Sequence, residues 1–186
     1  MNFARKPPPL DAWWQKVSTP AFVATSLALA GLCAAIHLNR ERGFLFLIDH
    51  ANLLFHEAGH LVYGVFGPTA ALYGGTLGQL TVPVVAFANF AWRREACSSS
   101  LCAAWFFQNF FNIARYVEDA RAQLLPRVGG GGHDWYAILL RWNAPYADQQ
   151  VGHVLRIVGW AGLGAVWALL AIRWWRDRAR EDGHPE

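Results

Sequence analysis

His56-Glu57-Ala58-Gly59-His60 forms an HExxH sequence inside a stretch that is otherwise almost wholly apolar. Residues four apart share a helix face, so His56 and His60 can bind one metal ion together. Glu57 then stands beside the ion, where a carboxylate can take a proton from a water activated there. Two histidines and a glutamate in membrane-like sequence are costly unless something binds or pairs them, which favours a metal site over a solvated helix end. The donor set points to Zn²⁺. A catalytic zinc site needs a third protein ligand and one position left open. Asp134 is the first candidate and His133 the second, both following four consecutive glycines at an expected helix start. Flexible backbone there can fold either residue back to the metal. Helix N-capping is the competing role for Asp134. Glu118 and Asp119, just past a later apolar run, are the remaining candidates.

Other polar residues sit where they could support such a site. Asp49 and Asn52 lie seven and four residues before His56 on nearly the same helix face, where either could receive a ligand ring N–H. Exposure at a membrane interface is the alternative for Asp49. Gln79, Gln108, Asn109 and Asn112 are uncharged polar groups at apparent membrane depth. They suit either the orientation of a substrate carbonyl or hydrogen bonding between helices.

These residues need elements to hold them, and the composition specifies membrane helices. Of 186 residues, 54% are hydrophobic and only 16% are charged, with the charges gathered between uncharged runs. The net charge of +3 comes mostly from flanking arginines, which suit lipid headgroups. No basic stripe with interleaved aromatics suggests nucleic acid. Cys33, Cys97 and Cys102 form no CxxC pair and read as buried small hydrophobes rather than disulfide partners.

The expected architecture is all-α and polytopic: one membrane domain, 1–186, with about five transmembrane helices. Residues 1–19 form a cationic tail, 20–172 the transmembrane core and 173–186 a basic tail. The spans fall near 20–38, 44–66, a third ending near 92, 96–114 and 151–172, with an interfacial helix over 135–142. The first reads as an uncleaved anchor. No charge occurs over 61–92, a length beyond one helix, and Gly67-Pro68, Gly74-Gly75, Gly78 and Pro83 interrupt it. Irregular or re-entrant backbone over 73–79, set against the metal site, is therefore expected. Gly159, Gly162 and Gly164 in the last span favour close helix packing.

The HExxH helix, the Gly-rich segment after it and the later Gly-rich turn with Asp134 resemble the site-2 class of intramembrane zinc metalloproteases, the M50-type peptidases. By that resemblance His56 and His60 are zinc ligands, Glu57 is the general base, and the substrate is a membrane-anchored polypeptide. The class takes its third ligand from an Asp followed by Gly on a later helix. Here the glycines precede Asp134 and Trp135 follows it. The chain also resembles, over about 44–160, a group of small bacterial membrane proteins. They share the HEAGH helix, Gly74–Gln79, Gln108-Asn109, Asp119–Arg121 and Gly130–Trp135. That likeness implies a multi-pass protein of the bacterial inner membrane, in contact with the lipid bilayer, and implies no activity. Two other functions stay open on the residues alone: a membrane metalloenzyme acting on a lipid or lipidated substrate, and a non-catalytic metal-binding scaffold.

Overall fold

The computed structural model describes residues 14–41, 43–126 and 132–182. Those residues form six helices and no strand: α1 (Thr19–Leu38), α2 (Phe46–Gly64), α3 (Pro68–Trp92), α4 (Ala96–Glu118), α5 (Asp134–Arg141) and α6 (Asp148–Asp182). Three of them, α1, α3 and α6, are long and apolar enough to cross a membrane. Their exposed surfaces carry large apolar side chains such as Leu27, Val85 and Leu169, as lipid-facing helices do.

The count of about five spans is not confirmed: three helices qualify by length and composition, and α2 and α4 are the more polar pair. α2 carries Asp49, Asn52, His56, Glu57 and His60, and α4 carries Ser98–Ser100, Gln108, Asn109 and Asn112. Polar residues of these two helices bond to each other. Asp49 Oδ1 accepts from Gln108 Nε2 at 2.7 Å, and Asn52 Nδ2 donates to Gln108 Oε1 at 2.9 Å. Trp105 Nε1 donates to Asn52 Oδ1 at 2.9 Å. Polar side chains that would be expensive in lipid are thereby satisfied inside the protein.

The irregular backbone expected over 73–79 is helix in the structure, part of the unbroken α3. The break comes earlier. Gly67 adopts φ 108°, a left-handed conformation that glycine tolerates, and Pro68 opens α3 where its missing N–H costs nothing. The glycines of α3 serve contact rather than interruption. A Cβ at Gly74 would lie 2.7 Å from Gly59 O, and one at Gly78 would lie 2.6 Å from Gly59 Cα. α2 and α3 therefore approach backbone to backbone, as small residues permit. Pro83 sits inside α3, so the Gln79 carbonyl four residues before it lacks its usual helical donor.

α4 packs against α6 in a similar way. Gly159 lies under Phe111, and Gly162 lies under Phe107. Gly164, expected to join them, has nothing within 4 Å of its Cβ position. Leu29 and Ile36 of α1 complete this cluster with Leu163, Val166 and Leu170. A second cluster, Ile113, Val117, Ala120, Trp135, Ile138 and Leu139, seats the short α5 against α4. The basic run after 172 continues α6 to Asp182, and Asp177 Oδ2 accepts the Val17 N–H at 3.0 Å. The cysteines are unbridged. The tail before residue 14 and the glycines 129–131 lie outside the described residues.

Candidate metal centre

The α2–α3 contact decides where the two histidines point. His56 and His60 stand one turn apart on α2, and both rings face Gly75 of α3. A Cβ on Gly75 would collide with His56 Cε1 and Nε2 and would lie 2.6 Å from His60 Nε2. Four residues earlier on the same face of α3, the Ala71 carbonyl lies 2.8 Å from His60 Nδ1. A carbonyl only accepts, so Nδ1 carries the proton and the Nε2 lone pair of the neutral ring is left for a ligand role.

α5 brings the third donor. His133 occupies the N-cap position, its Nδ1 accepting from Tyr136 N at 3.3 Å. Asp134 is thus the first residue of the helix, and its carboxylate turns toward α2. Asp134 Oδ2 lies 3.0 Å from His56 Nε2 and 3.1 Å from His60 Nε2, and the two Nε2 atoms are 3.2 Å apart. Donors at about 2.0–2.1 Å around a tetrahedral zinc stand about 3.3 Å from one another. The three observed edges approach that figure, so the donor set fits a divalent cation with three protein ligands and an open fourth position. His56 is buried and the other two are largely enclosed.

The candidates for the third ligand separate cleanly. Asp134 joins the histidines. His133 stacks on the Tyr116 ring with centroids 4.2 Å apart, and its Nε2 is 3.5 Å from Asp119 Oδ2. Asp119 also accepts from Leu124 N and Leu125 N, which closes the turn after α4. Glu118 binds Arg156 through two bonds of 2.8 and 2.6 Å, tying α4 to α6. Arg121 pairs with Asp148 at 2.9 Å, and that carboxylate raises the guanidinium pKa further above its ordinary value.

Asp49 and Asn52 make the α2–α4 bonds described above instead of orienting a ligand ring. Asp49 Oδ2 also accepts the Leu45 N–H at 2.6 Å, satisfying a donor at the start of α2. Of the four amides, Gln79 and Asn112 line the cavity that holds the triad. Gln108 belongs to the helix–helix network, and Asn109 Nδ2 donates to Trp105 O of its own helix at 3.1 Å.

That cavity measures about 670 Å³, the size of a pocket for a substantial organic ligand. His56, His60, Asp134 and Glu57 share it with Thr76, Gln79 and Asn112. Glu57 is half-buried there, next in sequence to one ligand.

Three contributors escaped sequence reasoning. Tyr116 Oη accepts the Asp134 N–H at 3.3 Å, and its ring meets His56 edge-on at 5.6 Å. The Ala71 carbonyl is backbone and has no residue signature. Gly75 reads as a helix breaker and acts as the clearance for two imidazoles. Comparison with protein-family models, curated proteins and solved structures finds no match to this chain.

Proposed function

We propose that the chain is a zinc-dependent peptidase of the membrane, hydrolysing a peptide bond in a membrane-anchored substrate. The observation that supports this reading is the convergence of His56, His60 and Asp134 in one substrate-sized cavity that also holds Glu57. A cation held by these three ligands would supply Lewis acidity, polarising the scissile carbonyl and making water a better nucleophile.

Glu57 accepts a proton from the attacking water as the new C–O bond forms. It then delivers that proton to the leaving nitrogen as the C–N bond breaks. The carbonyl oxygen gains negative charge on the way, and among the groups lining the cavity the side-chain amides of Gln79 and Asn112 offer N–H donors for it. Ala71 and Tyr116 hold His60 and Asp134 in place, which keeps the donor triangle pre-formed. Helical peptide carbonyls are already hydrogen-bonded, so the substrate must unwind locally before it can react. α3 is helical beside the site and offers no ready-made extended segment for it, so the opening falls to the substrate.

The test uses detergent-purified protein and its Glu57→Gln variant. We expect both to hold about one zinc per chain by elemental analysis, and only the wild type to cleave a transmembrane peptide. Cleavage by Glu57→Gln at the wild-type rate would refute the assigned chemistry. Hydrolysis of phospholipid without peptide cleavage would replace the peptide substrate with a lipid one.

A further inference from the structure

The hydrolytic chemistry leaves one conspicuous charge in the cavity unused. Arg115 of α4 lines it near the start of α2, with its guanidinium carbon 5.3 Å from the centre of the Phe44 ring. Its aliphatic stem rests on Gly43, whose φ of 61° and lack of a side chain leave the space it fills. Other arginines of the structure have carboxylates: Arg93 with Glu95, Arg121 with Asp148, Arg156 with Glu118 and Arg173 with Asp177. Among the described residues, the Arg115 guanidinium makes neither a hydrogen bond nor an ion pair. Asp49 lines the same end of the cavity and its charge attracts Arg115, but no direct bond joins them, because Leu45 N and Gln108 Nε2 already occupy the Asp49 oxygens. A guanidinium facing a cavity in an apolar protein, with its donor fork unspent, is suited to an anionic ligand.

We propose that Arg115 receives a carboxylate of the substrate, an acidic side chain in the membrane-flanking part of the polypeptide, about three residues from the cleaved bond. This rests on the peptidase reading. The spacing follows from α2. Asp49, at the Arg115 end of the cavity, precedes His56 by seven residues, a rise of about 10 Å along the helix. An extended substrate advances about 3.3 Å per residue, so about three residues bridge the two ends. The phosphate of a glycerophospholipid lies only a few bonds from its ester carbonyls, a reach too short for the same two anchors. The position also agrees with a membrane-flanking segment: Arg115 lies one turn before Glu118, whose pair with Arg156 marks a charged layer at that end of α4.

The test uses the full-length protein in detergent micelles and a fluorescein-labelled leucine–alanine transmembrane peptide. The peptide carries a single Glu near its membrane-flanking end, or Gln in its place. Fluorescence anisotropy should show the Glu peptide binding roughly tenfold tighter to wild type, as a charge-assisted bidentate contact gives. Arg115→Gln should abolish that preference, and Arg115→Glu should transfer it to a Lys peptide, an exchange that a merely structural role would not produce. In the cleavage arm, moving the Glu by one residue should move the cut by one residue in wild type and not in Arg115→Gln. Equal binding of the Glu and Gln peptides to wild type overturns the inference. So does cleavage that ignores the Glu position, with the peptidase reading left standing. Glu-dependent binding without any cleavage keeps the anion anchor and removes the hydrolysis. Arg115-dependent turnover of phosphatidylglycerol vesicles overturns both.

Discussion

Replacing Gly75 by alanine adds one methyl group to α3 and should abolish zinc binding at the proposed site of His56, His60 and Asp134. In a helix interior the change alone favours folding by up to about 1 kcal/mol. At this position the new Cβ would stand 2.6 Å from His60 Nε2 and closer still to His56. Ordinary contact between such atoms is about 3.5 Å, so each ring must retreat by about 1 Å. Ligand distances tolerate only about 0.2 Å. A structural zinc site contributes about 10–16 kcal/mol over four ligands, or roughly 3 kcal/mol for each, so one displaced imidazole costs more than a hundredfold in affinity. The assay is zinc titration of the detergent-purified protein against a chromophoric chelator, with the melting temperature of the metal-free protein as the measure of fold. Gly31→Ala and Gly164→Ala, where nothing lies within 4 Å of the added carbon, are the controls and should keep wild-type affinity. A Gly75→Ala protein that binds one zinc within about threefold of wild type would show that these ring nitrogens are not the donors.

Two further substitutions probe what surrounds the centre. Gln108→Leu removes the 2.7 Å donor to Asp49 and the 2.9 Å acceptor of Asn52, both buried. It should lower stability by about 2–4 kcal/mol in denaturant unfolding while zinc stoichiometry stays at one, and an unchanged unfolding curve would show that the α2–α4 bonds are not needed. Tyr116→Phe deletes the hydroxyl that accepts the Asp134 N–H, a neutral bond of about 1 kcal/mol. Zinc affinity should fall roughly fivefold, and a loss beyond a hundredfold would mean that Tyr116 does more than position Asp134.

The parts of this site that sequence reveals are those whose chemistry is local. His56, Glu57 and His60 announce themselves because four-residue spacing on a helix is itself the binding geometry. Asp134 is legible more weakly, since an acid after a glycine run serves equally well as a helix cap. The structure resolves that ambiguity by giving the cap to His133, one residue earlier, and so turning Asp134 toward α2. The misjudged region is 73–79, and the reason is physical. In water, glycines in a helix cost backbone entropy and mark breaks. Against another apolar helix they permit an approach that no side chain allows. Gly74 and Gly78 bring α3 onto Gly59, and that closeness carries the Ala71 carbonyl to His60 Nδ1. Gly75, on the same face, then has to be bare, because two imidazoles occupy the space its side chain would take. The glycines that suggested an unwound segment therefore build the second helix of the site. They orient the His60 ring through the Ala71 carbonyl and set the position of both imidazoles through the room they leave.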